Sequence, residues 1–196
     1  MDDYHFRLLD FNFYNTASND SGDDESDGNN STTFTIQMYG VNETGETCSI
    51  MVTDFKPFFY VLVPDSWNVM KKNYFVQHIQ EKLGPNNFDI TDSKIIKRKK
   101  LYGFNDGKEF KFVKLEFSNS SAFDKAKKLW YKYSEDGYKL SPHGYKFNNE
   151  FLKIYESNIP ALLRFFHIQD ISPSGWISMP KNKVQGVVES DKKTHC

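Results

Sequence analysis

A run of four adjacent cations is the feature of this sequence best suited to chemistry. The run and the two aromatic residues that follow it comprise Lys97, Arg98, Lys99, Lys100, Tyr102 and Phe104. Four cations can neutralise phosphates, and neighbouring rings can stack on unpaired bases at about 1–3 kcal/mol per base. The run therefore predicts a contact with single-stranded nucleic acid. The alternative is a solvated strand end whose aromatic residues belong to the core.

Charge is distributed unevenly along the 196 residues. Residues 1–60 hold eleven Asp and Glu against two Lys and Arg, whereas residues 71–153 hold eighteen Lys and Arg against ten Asp and Glu. The net charge is therefore −9 in the first range and +8 in the second. Such an excess favours a nucleic-acid partner, although a lysine-rich solvated surface has the same composition. Lys108, Lys111 and Lys114 could likewise line a template groove or form the polar face of a strand.

Paired carboxylates are a second kind of group that could do chemistry, because they can hold divalent metal ions. Asp23 and Glu25 form an Asp-x-Glu pair, but they lie in the acidic, low-complexity range 15–33. That range has no large apolar residue and is predicted to be disordered. The histidines are scattered, so no zinc site is predicted either. We therefore expect no catalytic residue, no metal site and no cofactor in this chain.

The compartment is indicated by the apolar runs and the cysteines. No apolar run is close to the roughly 20 residues that a membrane span needs, and the first ten residues are acidic. Cys48 and Cys196 are far apart in the sequence, which predicts no disulfide framework. These features favour an intracellular protein that does not enter a membrane.

The two ends of the chain are predicted to be rich in strands. Residues 6–13 and 34–39 alternate apolar and polar side chains, and residues 48–53 follow a turn at 42–45 to complete a hairpin. A helix is predicted over 159–168, with Pro160 in its first turn. A further strand is predicted to begin at Trp176.

The middle of the chain has the element order β-α-β-β-α. Strands are predicted at 58–63, 90–100 and 109–117, the first of them central and buried on both faces. One helix is predicted from Asp65 or Ser66 to about Leu83, with Val76 and Ile79 on its apolar face. A second helix is predicted from Ser120 or Ser121 to about Tyr133. The apolar face of this second helix comprises Phe123, Ala126, Trp130 and Tyr133. A last strand is predicted near Tyr138.

This order is typical of a ferredoxin-like or RNA-recognition-like unit. The predicted fold class is α+β, in which N-terminal mixed β-structure, OB-like or another antiparallel sheet, carries an inserted ferredoxin-like unit. Residues 1–56 and 141–196 are assigned to the β-rich domain, and residues 57–140 to the inserted subdomain.

Three segments in a fixed order resemble family B DNA polymerases of the delta-like type. They are FTIQMYGVNETGETCSIMVTDFKPFFYVLVPD at 34–65, KRKKLYGFNDGKEFKFVKLEF at 97–117 and YESNIPALLRFFHIQDISPSGWI at 155–177. The third is the most specific, because it carries a YE-S-N-[IV] start, an L-R-F centre and a final G-W. The acidic insertion and the abundance of Asn, Lys and Phe suggest a polymerase of a large DNA virus.

The resemblance implies the N-terminal, template-binding and scaffolding part of such a polymerase, working in viral DNA replication. The 3′–5′ exonuclease and polymerase motifs, with Mg²⁺, would lie downstream, so this chain alone is expected to be inactive. Single-stranded template, primer–template and the downstream domains are the implied partners, in the host nucleus or at a cytoplasmic replication site. The alternative is a stand-alone module that binds single-stranded DNA or RNA.

Four residues of the third segment are predicted to have structural or interdomain roles: Tyr155, Glu156, Arg164 and Trp176. Arg164 stands between two Leu and two Phe residues. A cation in so apolar a setting requires an anionic partner, for which Glu156, Asp170 and a phosphate are the candidates. We expect an ion pair that fixes the helix to the exonuclease domain.

Overall fold

The structure is a computed structural model that describes residues 3–17, 32–84, 89–100, 106–135 and 137–181. Within those ranges the chain is α+β, with mostly antiparallel sheets and few helices, as the sequence predicts. The strands are β1 (Asp3–Ala17), β2 (Thr32–Asn42), β3 (Thr47–Val52), β4 (Phe58–Leu62), β5 (Ile90–Lys99), β6 (Glu109–Phe117), β7 (Tyr131–Ser134), β8 (Gly137–Leu140), β9 (Tyr145–Phe147), β10 (Glu150–Tyr155) and β11 (Trp176–Pro180). The helices are α1 (Val69–Leu83), α2 (Ser120–Lys128) and α3 (Ala161–Gln169).

The first sheet joins the two ends of the described chain in the order β11-β1-β2-β3. Its core side is formed by alternating apolar residues such as Leu8, Phe34 and Ile36. The helix α3 covers this face and adds Phe165 and Phe166 to the same cluster. The predicted hairpin of β2 and β3, the predicted strand at Trp176 and the predicted third helix are all present.

The strands β1 and β2 extend further than the sequence predicts. The ladder continues until Ala17 lies opposite Thr32, so the prediction of disorder over 15–33 is wrong at both ends of that range. The hydroxyl of Thr16 donates to that of Thr35 at 2.8 Å, and the Asn15 side chain accepts a hydrogen bond from the Ser120 hydroxyl at 2.9 Å. These polar contacts give the strand ends partners that the composition did not reveal. Residues 18–31 lie outside the described residues.

The pairing of Ala17 with Thr32 leads to a prediction about the segment between them. Replacing residues 18–31 by Gly-Ser-Gly-Ser should leave Tm within a few degrees of the parent, because each halving of loop length is worth only about 0.6 kcal/mol. A thermal melt followed by circular dichroism measures this, with a neutral Gly/Ser segment of the original length as the control. A large fall in Tm for both variants would show that the native segment contacts the folded chain.

The second sheet has the order β5-β6-β4-β10-β9, and every pairing in it is antiparallel. The strand β4 is central, as predicted, with Phe59 and Val61 fully buried. The helices α1 and α2 pack on this face and contribute Phe75, Ile79 and Ala126 to a large aromatic core.

The last strand of this sheet is not the one that the sequence predicted. β8, near Tyr138, pairs with β7 in a two-stranded sheet, and β10 takes the place beside β4. The reason is burial, because β10 directs Leu152 and Ile154 into the core, whereas the residues of β8 are half-buried or exposed. The sheet therefore extends past the predicted boundary at residue 140.

Both helices of the middle region begin at an asparagine rather than at the predicted caps. The Asn68 side chain accepts from the Lys71 amide, and the Asn119 side chain accepts from the Ala122 amide, each at 2.9 Å. Trp67 precedes α1 in a turn, where its backbone N–H donates to the Pro64 carbonyl at 3.0 Å and its buried indole donates to Glu150 at 2.7 Å. The end of α1 at Gly84 agrees with the prediction.

The helix α2 ends earlier than predicted. Trp130 is fully buried and donates its indole N–H to the Leu152 carbonyl at 2.7 Å, which turns the chain from the helix into β7. Tyr133 is therefore on a strand and is 78% exposed, so its assignment to the apolar face of the helix is wrong. Across the described ranges, no helix is long and apolar enough to span a membrane.

Candidate nucleic-acid interface

The strand β5 divides the predicted run of cations between the two faces of the second sheet. Lys97 lies opposite Lys111, and Arg98 lies opposite Phe110. Directly opposed residues share a face and neighbours along a strand alternate. Lys111 is on the helix side, where its ammonium group donates to the carbonyls of Asp65 and Trp67. Lys97 therefore faces the helix side, together with Lys99, and Arg98 faces the other side.

The side of the sheet away from α1 and α2 carries a row of aromatic rings. Phe112 is 5.4 Å from Tyr155 and 6.2 Å from Tyr60, measured between ring centroids. Tyr60 and Phe112 come from the two central strands β4 and β6, and Tyr155 comes from β10. We call this surface the outer sheet face; its members are Tyr60, Arg98, Lys100, Lys108, Phe110, Lys153 and Tyr155, packed around the buried ring of Phe112.

Lysines converge on the ring of Phe110 at one end of the outer sheet face. The Lys100 ammonium is 3.7 Å from the Phe110 centroid and 5.9 Å from that of Tyr155, and the Lys108 ammonium is 5.6 Å from Phe110. Partial burial lowers the pKa of Lys100, and the nearby charges of Lys153 and Lys108 lower it further. Repulsion between neighbouring cations is relieved by an anion, so this arrangement suits a phosphate beside a stacked base.

The lysines at the other end of the sheet are already neutralised. Lys114, one of the candidates for lining a template groove, pairs with Glu116 and lies 3.9 Å above the Phe58 ring. Lys94 pairs with Asp92 at 2.8 Å. No such ion pair is formed by Arg98, Lys100, Lys108 or Lys153 with any other residue that the structure describes. The end of the face near Phe110 is therefore the stronger candidate for binding an anion.

The structure brings together only part of the predicted site. Arg98 and Lys100 lie on the outer sheet face, whereas Lys97 and Lys99 face the helices. Tyr102 and Phe104 lie outside the described residues, so their predicted stacking stays a prediction. Tyr60 and Lys153 were missed because their strands are distant in sequence, and only the β4–β10 register places them beside β6.

Arg164 has the anionic partner that its apolar surroundings predict. The side chain is buried, one guanidinium nitrogen lies 3.0 Å from a Glu156 carboxylate oxygen, and another donates to the Glu156 carbonyl at 2.6 Å. The guanidinium also lies 4.3 Å from the centroid of the Phe58 ring. Burial lowers the pKa of Arg164, and the charge of Glu156 opposes that effect. Arg164 thereby ties α3 to both β4 and the end of β10.

The other two residues of the third segment do not join this anchor. Tyr155 belongs to the outer sheet face, where burial raises the pKa of its phenol. Trp176 is 57% exposed at the start of β11, opposite Arg7. The predicted contact between this segment and an exonuclease domain remains a prediction. In the described part of the chain, no group of three or more His, Cys, Asp and Glu could hold a metal ion.

Comparison with known proteins gives relatives by sequence, although no family model matches the chain. The DNA polymerase of Phaeocystis pouchetii virus is 43% identical over 201 residues, which cover 97% of this chain and 19% of the relative. The DNA polymerase delta catalytic subunit of Schizosaccharomyces pombe is 28% identical over 151 residues, which cover 76% of this chain and 13% of the relative. The chain thus spans about a fifth or less of the length of these relatives.

A solved structure supports the same relationship at the level of the fold. The family B DNA polymerase from the archaeon Pyrobaculum calidifontis superposes with a TM-score of 0.54, over 87% of this chain and 17% of that one. Its sequence identity is 12%, so this similarity concerns the fold alone.

Proposed function

This chain belongs to the family B DNA polymerases and corresponds to an N-terminal region of one, and from that premise we propose that it binds single-stranded template and supports the downstream domains. The observation that carries the template-binding role is the convergence of Lys100 and Lys108 on the ring of Phe110. Cations beside aromatic rings are the usual means of holding a strand without reading its sequence.

The proposed supporting role rests on exposed apolar side chains of α3 and β11. Leu163 and Ile168 on α3 are 58% and 52% exposed, and Trp176 on β11 is 57% exposed. Exposed apolar side chains of this size are typical of a contact surface. They would be covered by the exonuclease or polymerase domains of the parent enzyme, while Arg164 holds the helix itself in place.

The strand order supports a ferredoxin-like interpretation of the second sheet. Strands β10-β4-β6-β5, with α1 and α2 on one face, match the split β-α-β-β-α-β arrangement. We therefore propose residues 57–155 as the inserted unit, with the strand-rich parts 3–56 and 156–181 forming an OB-like or related domain. In RNA-recognition modules the two central strands of such a unit carry the stacking rings, and here they carry the half-buried rings of Tyr60 and Phe110 beside the buried Phe112.

The parent enzyme would be a DNA-directed DNA polymerase with a proofreading 3′–5′ exonuclease. The viral relative supports a role in replication of a large DNA virus inside its host cell. Mg²⁺, dNTPs and primer–template would be bound by the downstream domains, because such chemistry uses carboxylates to position two metal ions. This chain would contribute binding and support without a catalytic step of its own.

Two double variants on the same strand test the template-binding role. Arg98→Ala with Lys100→Ala should weaken binding of an oligothymidylate about tenfold, because two phosphate contacts are lost. Each phosphate contact on a single strand contributes about 0.7 to the log–log salt slope. That slope should fall by about 1.4. Fluorescence anisotropy at several salt concentrations measures both quantities.

The matched control is Lys97→Ala with Lys99→Ala, which removes the same charge from the opposite face of the sheet. It should change the affinity less than about threefold, because only long-range electrostatics are lost. Equal losses of affinity in the two variants would show that the run of cations is a solvated strand end and not a specific contact with the template. Unchanged affinity in both would place the template elsewhere.

A further inference from the structure

The hairpin of β7 and β8 presents two tyrosines to solvent. Tyr133 lies directly opposite Tyr138, with ring centroids 5.5 Å apart and planes inclined by 74°. Their exposed fractions are 78% and 66%. An exposed aromatic ring does not contribute the free energy of burial that such side chains usually provide. A pair of them at the same place on one face therefore indicates a binding surface.

The hairpin is held by hydrogen bonds at its base and at its turn, so the two rings lie on an ordered element of the fold. At its base, the Ser141 amide donates to the Trp130 carbonyl at 2.8 Å. At its turn, the Ser134 hydroxyl donates to the Gly137 carbonyl at 2.9 Å. Tyr131, on the same face as the two exposed rings, packs against the large core. These contacts compensate for the marginal stability of a two-stranded sheet in water.

The surroundings of the hairpin are basic. Residues 125–139 contain five lysines against Glu135 and Asp136, a net charge of +3. The Lys127 ammonium lies 5.8 Å from the Tyr131 ring, so the charge extends from the last turn of α2 onto the hairpin. A positively charged surface with exposed rings is complementary to a polyanion that also has aromatic faces. Among biological polymers, single-stranded nucleic acid combines these two properties.

We infer that the β7–β8 hairpin binds single-stranded DNA at a site separate from the outer sheet face. Tyr133 and Tyr138 stack on bases, while Lys127, beside Tyr131 on the same face, contacts a neighbouring phosphate. The hairpin follows α2, which covers the helix side of the sheet, so one strand must pass around the sheet to reach both surfaces. The inference extends the proposed function by adding a second contact and a longer binding site.

The central variant is Tyr133→Ala with Tyr138→Ala, measured by anisotropy with a labelled oligothymidylate of about 30 nucleotides. We expect the affinity to fall at least about fivefold, the effect of losing one stacked base, with an unchanged salt slope because no charge is removed. Tyr133→Phe with Tyr138→Phe keeps both rings and should bind as the parent does. Tyr39→Ala, which removes a partly exposed ring from the first sheet, is the matched control and should also have no effect.

A second variant keeps the test independent of the tyrosines. Lys127→Ala should flatten the salt slope by about 0.7. A thermal melt of each variant separates loss of binding from loss of folding. Parent-like affinity in both hairpin variants would overturn the inference and leave the surface to a protein partner.

The outer-face variant Arg98→Ala with Lys100→Ala distinguishes this inference from the proposed function. Loss of binding in that variant, with none in the hairpin variants, overturns the inference and retains the proposed template-binding face. Loss in the hairpin variants alone supports the inference and overturns the role of the outer sheet face. Loss in both supports the two contacts together.

Discussion

Replacing Arg164 with alanine is expected to lower the free energy of unfolding by about 3 kcal/mol, because removing one partner of a buried ion pair costs about that much. The substitution removes a buried guanidinium together with its hydrogen bond to the Glu156 carbonyl and its contact with Phe58. The side chain of Glu156 is 50% exposed and can be solvated when it is left behind. The loss should therefore be near the lower end of the usual range for a buried pair.

Two further variants separate the charge from the packing. Glu156 has φ near +59°, a conformation that costs glycine little, so Glu156→Gly removes the ion pair and relieves backbone strain. It should cost about 2 kcal/mol, since the buried guanidinium loses its carboxylate partner, at about 3 kcal/mol, while relief of the left-handed backbone returns about 1 kcal/mol. Arg164→Lys should be intermediate, because an ammonium cannot make the same forked contacts.

Urea unfolding, followed by tryptophan fluorescence, measures these differences. If Glu156→Gly costs as much as Arg164→Ala, the ion pair rather than the buried contacts of Arg164 dominates. If Arg164→Ala is nearly neutral, α3 does not depend on this anchor. The cost of the substitution also bears on the supporting role, because α3 carries the exposed apolar residues proposed to contact the downstream domains.

Local pattern was sufficient to predict most strands of this fold. The uniformly apolar run at 58–63 predicted a buried central strand, and β4 has that position. The alternation at 109–117 predicted β6 within the same bounds. Both patterns follow from the side-chain period of a strand, which requires no knowledge of distant residues.

The partner of β4 could not be predicted in the same way. Residues 137–140 and 150–155 both have strand-like composition, and the choice between them depends on which can reach the core. The buried indole of Trp130 donates to Leu152 and draws β10 into the sheet. Such a contact joins residues far apart in sequence and has no local signature.

The candidate site shows the same limit. The cations of β5 are obvious as a run, yet the register with β6 determines that Arg98 faces Phe110 while Lys97 faces Lys111. Lys153 and Tyr155 come to the same surface only through β10. A contiguous charge run in a strand is thus divided between two faces, and about half of a predicted site must be reassigned.

Gly144→Ala is expected to destabilise the chain by about 3 kcal/mol or more, because it combines backbone strain with a steric collision. Gly144 has φ near +86°, which disfavours any side chain. A Cβ at this position would also lie 2.1 Å from the Leu152 carbonyl oxygen and 2.7 Å from its carbon. Both are backbone atoms, so the collision cannot be relieved by rotating a side chain.

The matched control is Gly107→Ala, where φ is near +71° and a Cβ would meet nothing within 4 Å. That substitution should cost only the conformational term, about 1 kcal/mol. Urea unfolding of the two variants measures the difference, and equal costs would show that Gly144 and Leu152 are not in close contact. The Leu152 carbonyl also accepts the indole N–H of Trp130, so Gly144→Ala should change the tryptophan emission of the native state. Because β10 carries Lys153 and Tyr155, displacing it should also weaken oligothymidylate binding, an effect that Gly107→Ala should lack if β10 positions the outer sheet face.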